Sequence, residues 1–232
     1  MNTVAIVQAR MTSTRLPGKV LMEVEGRPLL AYQLERLSRI KSLGSVVVAT
    51  TTNVQDEPVV ELCERMKVPT YRGCEHDVLS RYYEAAAFYK ADNVVRFTAD
   101  CPLIDPEISE RVISKFLSGK KWDYCSVNIH SYPRGTDTEI FTMSALREAY
   151  SEGTSDEERE HVTYFIWTRP ERYRIFSLTS PRDLSRYRIT VDTPEDFARV
   201  KAVISHFGRD NVPGLESIVA FLDRYRALLG DG

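Results

Sequence analysis

Buried-strand runs alternate with segments of helical spacing along the first half of this chain, and that alternation limits the folds open to it. Residues 3–8 (TVAIVQ), 45–50 (SVVVAT), 93–98 (NVVRFT) and 123–128 (DYCSVN) read as strands, with a shorter one at 69–71. Between them, 29–40 puts Leu30, Leu34, Leu37 and Ile40 on one helical stripe, and 58–66, 78–89 and 106–117 read as further helices. This order predicts an α/β fold of three layers, α/β/α, around a mostly parallel Rossmann-like sheet. Further on, 136–141, 173–178 and 187–191 read as strands, and 143–150, 156–167, 194–206 and 215–229 as helices. No Gly/Ser/Pro-rich linker and no repeat interrupts the 232 residues. The expectation is one domain, 1–232, with a strand-rich rim insertion at about 131–181.

Composition excludes several classes. With 28% charged residues and a formal net charge of −2, the chain lacks the basic footprint of a nucleic-acid binder. No apolar run approaches the roughly 18 residues a membrane span needs. The first residues carry no basic segment followed by an apolar one, which argues against a secretory signal. Cys63, Cys74, Cys101 and Cys125 are scattered without a CxxC pair, and read as reduced thiols of a cytoplasmic protein.

In such sheets ligands bind beyond the carboxyl ends of the strands, so the loops after Gln8, Thr50 and Thr98 should converge. The first, QARMTSTRLPGKV, holds Arg10, Arg15 and Lys19 among small hydroxyl residues and a Pro17-Gly18 turn. A short loop leaving a buried strand can aim backbone N–H groups at an anion, and arginine adds planar paired donors. On charge alone, a solvated basic loop is the competing reading. Neither GxxxxGK[ST] nor GxGxxG is present.

Two carboxylates remain once helix caps are assigned. In FTADCPLIDPE, Asp105 before Pro106 caps a helix, which leaves Asp100 at a strand end. In RITVDTPEDF, Thr193 can cap, which leaves Asp192. Two such carboxylates suit a magnesium ion that shares phosphate oxygens and water.

The loop QARMTSTRLPGKV resembles the signature loop of the cytidylyltransferases that activate sialic acid, Kdo and related acidic sugars, closest to the branch of spore coat polysaccharide biosynthesis protein F. The resemblance covers most of the chain to residue 200, and TADCP and VDTPED resemble the family's two metal-binding segments. It implies a nucleotide-diphospho-sugar transferase type of fold and transfer of CMP from CTP to a small acidic or phosphorylated acceptor, with Mg2+. It also implies a role in surface polysaccharide precursor synthesis, and a homodimer formed through the strand-rich rim. By it, Ala9, Arg10, Ser13, Thr14, Arg15 and Lys19 bind nucleotide, joined by Thr51 and Thr98 at two further strand ends. RGCEHDVLSRYY resembles the base and ribose segment, which adds His76, Asp77, Val78 and Arg81. PRGTD and REHV resemble stretches of the same branch and assign Arg134, Asp137, Glu139 and His161 to the acceptor. Asp100 and Asp192 take the metal. Arg10, Arg15, Lys19, Asp100 and His161 are the catalytic candidates, His161 as a proton acceptor. One departure stands out: Thr98-Ala99 replaces the Gln-Gly pair that sugar-acid activators often carry.

Two alternatives remain at this point. A glycosyltransferase of similar fold would use an Asp-x-Asp metal motif, whose nearest match is Asp137-x-Glu139. A nucleotide-binding module would bind without turnover. Tyr124, Tyr132, Tyr164 and Trp167 are candidates for interface aromatics, with core burial as the competing reading.

Overall fold

The computed structural model describes residues 1–119 and 121–229, so the last three residues of the expected domain lie outside the described ones. The strands are β1 (Thr3–Gln8), β2 (Glu23–Val24), β3 (Arg27–Pro28), β4 (Ser45–Thr51), β5 (Thr70–Gly73), β6 (Asn93–Thr98), β7 (Tyr124–Val127), β8 (Glu139–Thr142) and β9 (Ile175–Leu178). The helices are α1 (Leu29–Leu37), α2 (Glu57–Met66), α3 (Val78–Phe88), α4 (Pro106–Leu117), α5 (Met143–Glu152), α6 (Asp156–Glu160), α7 (Tyr164–Trp167), α8 (Pro194–Phe207) and α9 (Leu215–Leu229).

Seven strands form one sheet in the order β5-β4-β1-β6-β8-β7-β9, and β2 and β3 form a separate small ribbon. β1 is apolar on both faces, as an inner parallel strand requires. Its alternate residues feed two cores. Ala5 and Val7 join the core that holds Leu30, Leu34, Ile108 and Val203. Val4 and Ile6 join the one that holds Leu79, Tyr82, Leu146 and Phe165. The expected α/β/α layering with a mostly parallel sheet is therefore present, with β8 antiparallel to both β6 and β7.

β1 pairs with β4 on one side and with β6 on the other, both parallel. The chain runs outward from β1 to β4 and β5, then returns to lay β6 on the opposite side. That reversal opens a crevice between the carboxyl ends of β1 and β6.

Local chemistry sets the helix starts that frame the crevice. The Asp105 carboxylate accepts the Glu107 and Ile108 N–H groups at 2.8 and 3.1 Å, with Pro106 in the first turn. Thr193 caps α8 by accepting the Asp196 N–H at 3.3 Å, so Asp192 is indeed not used as the cap.

The structure departs from the sequence reading in four places. The helix expected at 156–167 is two short helices separated at 161–163. Glu158 is drawn into a capping box with Ser155, and the Thr163 hydroxyl donates to Glu139 at 2.7 Å. The strand expected from 136 begins at Glu139, because Thr136 turns back to the Pro133 carbonyl and Asp137 accepts the Gly135 N–H. The segment 187–191 is extended but joins no ladder. Its N–H groups at Ile189 and Val191 donate to the carbonyls of Arg134 and Asp100 at 2.8 and 2.7 Å, and a single bridge links Arg134 to Arg188. The segment 131–181 is also more than a rim insertion, since it supplies β8, which lies between β6 and β7.

Gly135 is the tight point of this arrangement. Its φ is +108°, and a Cβ there would lie 2.7 Å from backbone atoms of Ile189 and Thr190. Gly135→Ala is therefore expected to destabilise the protein by about 2–4 kcal/mol. Thermal denaturation measures this, and an unchanged midpoint would refute the tight packing.

Candidate active site

A cavity of about 320 Å³ occupies the crevice. Gln8, Arg10, Ser13, Thr14, Arg15 and Lys19 line it from β1 and the loop that follows. Thr98, Ala99 and Asp100 line it from the end of β6, and Asp192 and Glu160 complete it. The loop after β1 is pinned at several points. Gly18, at φ 71°, returns its N–H to the Met11 carbonyl at 2.9 Å. Asp56 accepts the Met11 N–H at 2.6 Å, and Glu75 accepts the Thr12 hydroxyl at 2.6 Å and the Asn53 amide at 2.6 Å. These donors, the Thr12 hydroxyl foremost, hold the Glu75 carboxyl below the usual carboxylate range. Glu75 also stands 3.6 Å from Arg10, which ties that guanidinium to the far wall.

The Lys19 ammonium sits between the two carboxylates. Its Nζ lies 2.9 Å from Asp192 Oδ1, 3.4 Å from Asp100 Oδ2 and 2.8 Å from the Val191 carbonyl. Arg15 donates to the same Asp192 oxygen at 2.8 Å, and Arg188 pairs with the other. Burial would raise the Asp192 carboxyl, but the Lys19 hydrogen bond and the charges of Lys19, Arg15 and Arg188 outweigh it and hold the carboxyl low. Asp196 fixes the backbone here by accepting the Asp192 N–H at 3.0 Å while paired with Arg188 and Arg199. Cys101, beside Asp100, is a buried thiol pushed well up by burial and by the Asp100 charge.

Two carboxylates that converge on one cation are a donor set that fits magnesium, which keeps water and phosphate oxygens as its remaining ligands. Among the described residues no group of three or more His, Cys, Asp or Glu side chains forms a closed metal cage.

Of the other expected nucleotide contacts, Ala9 is buried and donates its N–H to Ala49 at 3.1 Å. Thr51 is buried and bonded to Asp56, and Val78 is core. Asp77 caps α3 through the Ser80 N–H and pairs with Arg159. His76 is exposed. Arg81 is fully buried and donates to the Cys74 carbonyl, yet its Nε and Nη2 have no partner. A buried guanidinium with spare donors beside the loop at Cys74 is costly alone and suited to an acceptor atom from a ligand.

A second cavity, of about 470 Å³, follows β6 toward β8, β7 and β9 and includes Asp137 and Glu139. Glu139 does not serve there as a free acceptor contact, contrary to the sequence reading. It pairs with Arg96 and accepts the Tyr124 and Thr163 hydroxyls at 2.5 and 2.7 Å. Burial favours its neutral form, but the Arg96 charge and these donors prevail and hold the carboxyl low. Arg134 is exposed outside both cavity linings, and His161 is exposed directly after Glu160. Tyr124 and Tyr132 are buried within the chain, so the interface role considered for them does not hold. Tyr164 is half-buried and Trp167 exposed.

Sequence reasoning missed Gln8, Glu160, Arg96 and Arg188. Glu160 fell within the helix expected at 156–167 and carried no signal of its own. Arg188 carried a usable signal, since it stands four residues before Asp192.

The cavity lies at the sheet's reversal point, where Arg10, Arg15 and Lys19 face Asp100, Asp192 and Glu160. The profile of the cytidylyltransferase family matches residues 4–224, and the chain belongs to that family of CTP-dependent nucleotidyltransferases. The chain is 30% identical to the spore coat polysaccharide biosynthesis protein SpsF of Bacillus subtilis over 227 residues, covering 94% of this chain and 93% of that one. A cytidylyltransferase structure from Leptospira borgpetersenii superposes with a TM-score of 0.93 at 34% identity, over 98% of this chain and 96% of that one. The CMP-2-keto-3-deoxy-manno-octonic acid synthetase complexed with CTP shares the fold, with a TM-score of 0.67 at 18% identity over 89% of this chain and 99% of that one.

Removing Glu139 would strand the Arg96 charge in the interior. Glu139→Gln is expected to cost about 3–5 kcal/mol by chemical denaturation at neutral pH. Because the folded-state acidity of Glu139 is strengthened, its contribution is complete above the ordinary glutamate pKa of about 4.3 and is lost as acid titrates the folded carboxyl. The gap between wild type and variant should therefore narrow on acidification; a gap that widens would contradict the pairing.

Proposed function

We propose that the protein transfers CMP from CTP to a small acceptor, with the triphosphate in the first cavity and the acceptor in the second. The observation that carries this reading is the convergence of Arg10, Arg15 and Lys19 with Asp100 and Asp192 at the reversal point. Arg10, Arg15 and Lys19 neutralise the phosphates and orient the α-phosphorus toward the β6 end. Asp100 and Asp192 are the residues that would hold magnesium, which when bound balances charge on the departing pyrophosphate. Lys19, now shared by both carboxylates, becomes free to turn to a phosphate oxygen. An acceptor oxygen then forms its bond to the α-phosphorus as the bond to the bridging oxygen of the β-phosphate breaks, and that electron pair leaves with pyrophosphate. If the nucleophile is a hydroxyl, His161 takes its proton. The spore-coat relative supports a place in surface polysaccharide precursor synthesis, and an acidic or phosphorylated acceptor is the class that the family resemblance suggested.

The glycosyltransferase alternative loses its support, because Glu139 of the Asp137-x-Glu139 pair is committed to Arg96. A homodimer remains a proposal, with Trp167 as the exposed aromatic on that side; light scattering tests it.

Calorimetry with CTP, UTP, ATP and GTP, with and without magnesium, tests the nucleotide half. Magnesium-dependent preference for CTP is expected, and preference for another nucleotide would overturn it. Asp100→Asn is expected to lower pyrophosphate release by roughly 100-fold or more while leaving CTP affinity within about tenfold. Equal turnover would exclude Asp100 from the metal role.

A further inference from the structure

The two cavities meet along β6. Thr98 lines the first and Arg96 the second, two residues apart on the same face of that strand. Arg96 pairs in register with Glu139, and Asp137, in the turn before β8, lines the same cavity.

The second cavity differs from the first in charge. Its one arginine or lysine, Arg96, is bound to Glu139, so a ligand anion would find no free guanidinium or ammonium there. Asp137 is the reverse case. It accepts the Gly135 N–H at 2.7 Å and has no ion-pair partner among the described residues. A mostly buried carboxylate without a cation is costly, and a ligand ammonium would offset that cost, whereas a ligand carboxylate would add a third negative charge beside Asp137 and Glu139. Burial has already pushed the Asp137 carboxyl up, with the Glu139 and Asp100 charges acting in the same direction against the Gly135 N–H and Arg134. The remaining wall mixes serine and threonine hydroxyls with His130 and apolar side chains. Ser126 and Ser177 face each other at 3.3 Å across β7 and β9. Trp167, 47% exposed and packed edge-on against Tyr164, offers an apolar face at the rim that suits the C–H face of a sugar ring.

Resting on the reading of the first cavity as the CTP site, we propose that the second cavity selects a hydroxyl-rich, ring-shaped acceptor carrying an amino group, with its ammonium at Asp137 and its hydroxyls on Ser126 and Ser177. Such an acceptor is an aminated sugar. An acid or phosphate group on it belongs beside Arg10, Arg15 and Lys19 of the first cavity and not in the second.

Glucosamine, glucose and glucuronate share one ring shape and differ in charge, so they test the inference directly. Saturation-transfer NMR reads their binding to the protein alone and with CTP and magnesium. Glucosamine is expected to bind roughly tenfold or more tightly than glucuronate, with glucose between them. Asp137→Asn should abolish the preference for glucosamine over glucose, and Ser177→Ala should weaken both alike. Equal or tighter binding of glucuronate, a preference that survives Asp137→Asn, or no binding of any of the three would overturn the inference. Calorimetry with CTP separates the two readings. Glucosamine preference without CTP binding sinks the nucleotide assignment and supports the ligand class, whereas CTP binding with glucuronate preferred sinks the ligand class alone.

Discussion

The reversal of strand order at β1 sets the geometry of everything functional in this molecule. Because β4 and β6 flank β1 on opposite sides, the segments that leave β1 and β6 diverge, and polar groups gather where the sheet would otherwise be covered. Lys19 comes from one segment, Asp100 from the other, and Asp192 from an extended segment anchored to the Asp100 carbonyl. Each of these groups alone would be costly to withdraw from water. Together they compensate one another, and the same balance makes them responsive to a triphosphate.

Membership in the cytidylyltransferase family and the cavity geometry account for the first half of the reaction. The second half rests on a different physical balance. Arg96 and Glu139 neutralise each other inside the fold, with Tyr124 and Thr163 using up the remaining carboxylate capacity. The floor of the second cavity is thus a fixed internal structure, and the less committed groups lie around it. The Asp77–Arg159 pair ties α6, which carries the cavity-lining Glu160, to the start of α3.

β1, β4, β5, β6 and the helices to α4 were legible because their signals are local: β-branched runs, helical stripes, and an Asp cap followed by proline, whereas the two-residue strands β2 and β3 carried no such signal. Asp100 and Asp192 could be separated from their capping neighbours by the same local logic. What the sequence hid was tertiary. The break at 161–163 exists because Thr163 is needed at Glu139, a contact between residues 24 apart in sequence. The segment 187–191 has the composition of a strand, yet its N–H groups are taken by Arg134 and Asp100. Glu139 was assigned to the acceptor together with Asp137, and only the pairing of β6 with β8 revealed Arg96 opposite it.

The position of β8 bears on how the chain assembles. β6 and β7 follow one another in sequence but never pair, because β8, made later, lies between them. Until residues 139–142 arrive, β6 presents an open edge and β7 has no neighbour on its inner side. Closing that gap is a late, long-range event that carries a loop-closure cost, whereas the β1–β4–β5 side zips up from neighbours in order. A nascent or partly denatured chain would therefore complete the β5-β4-β1-β6 half of the sheet first and leave the β8-β7-β9 half open, with an unpaired strand edge as its most vulnerable surface.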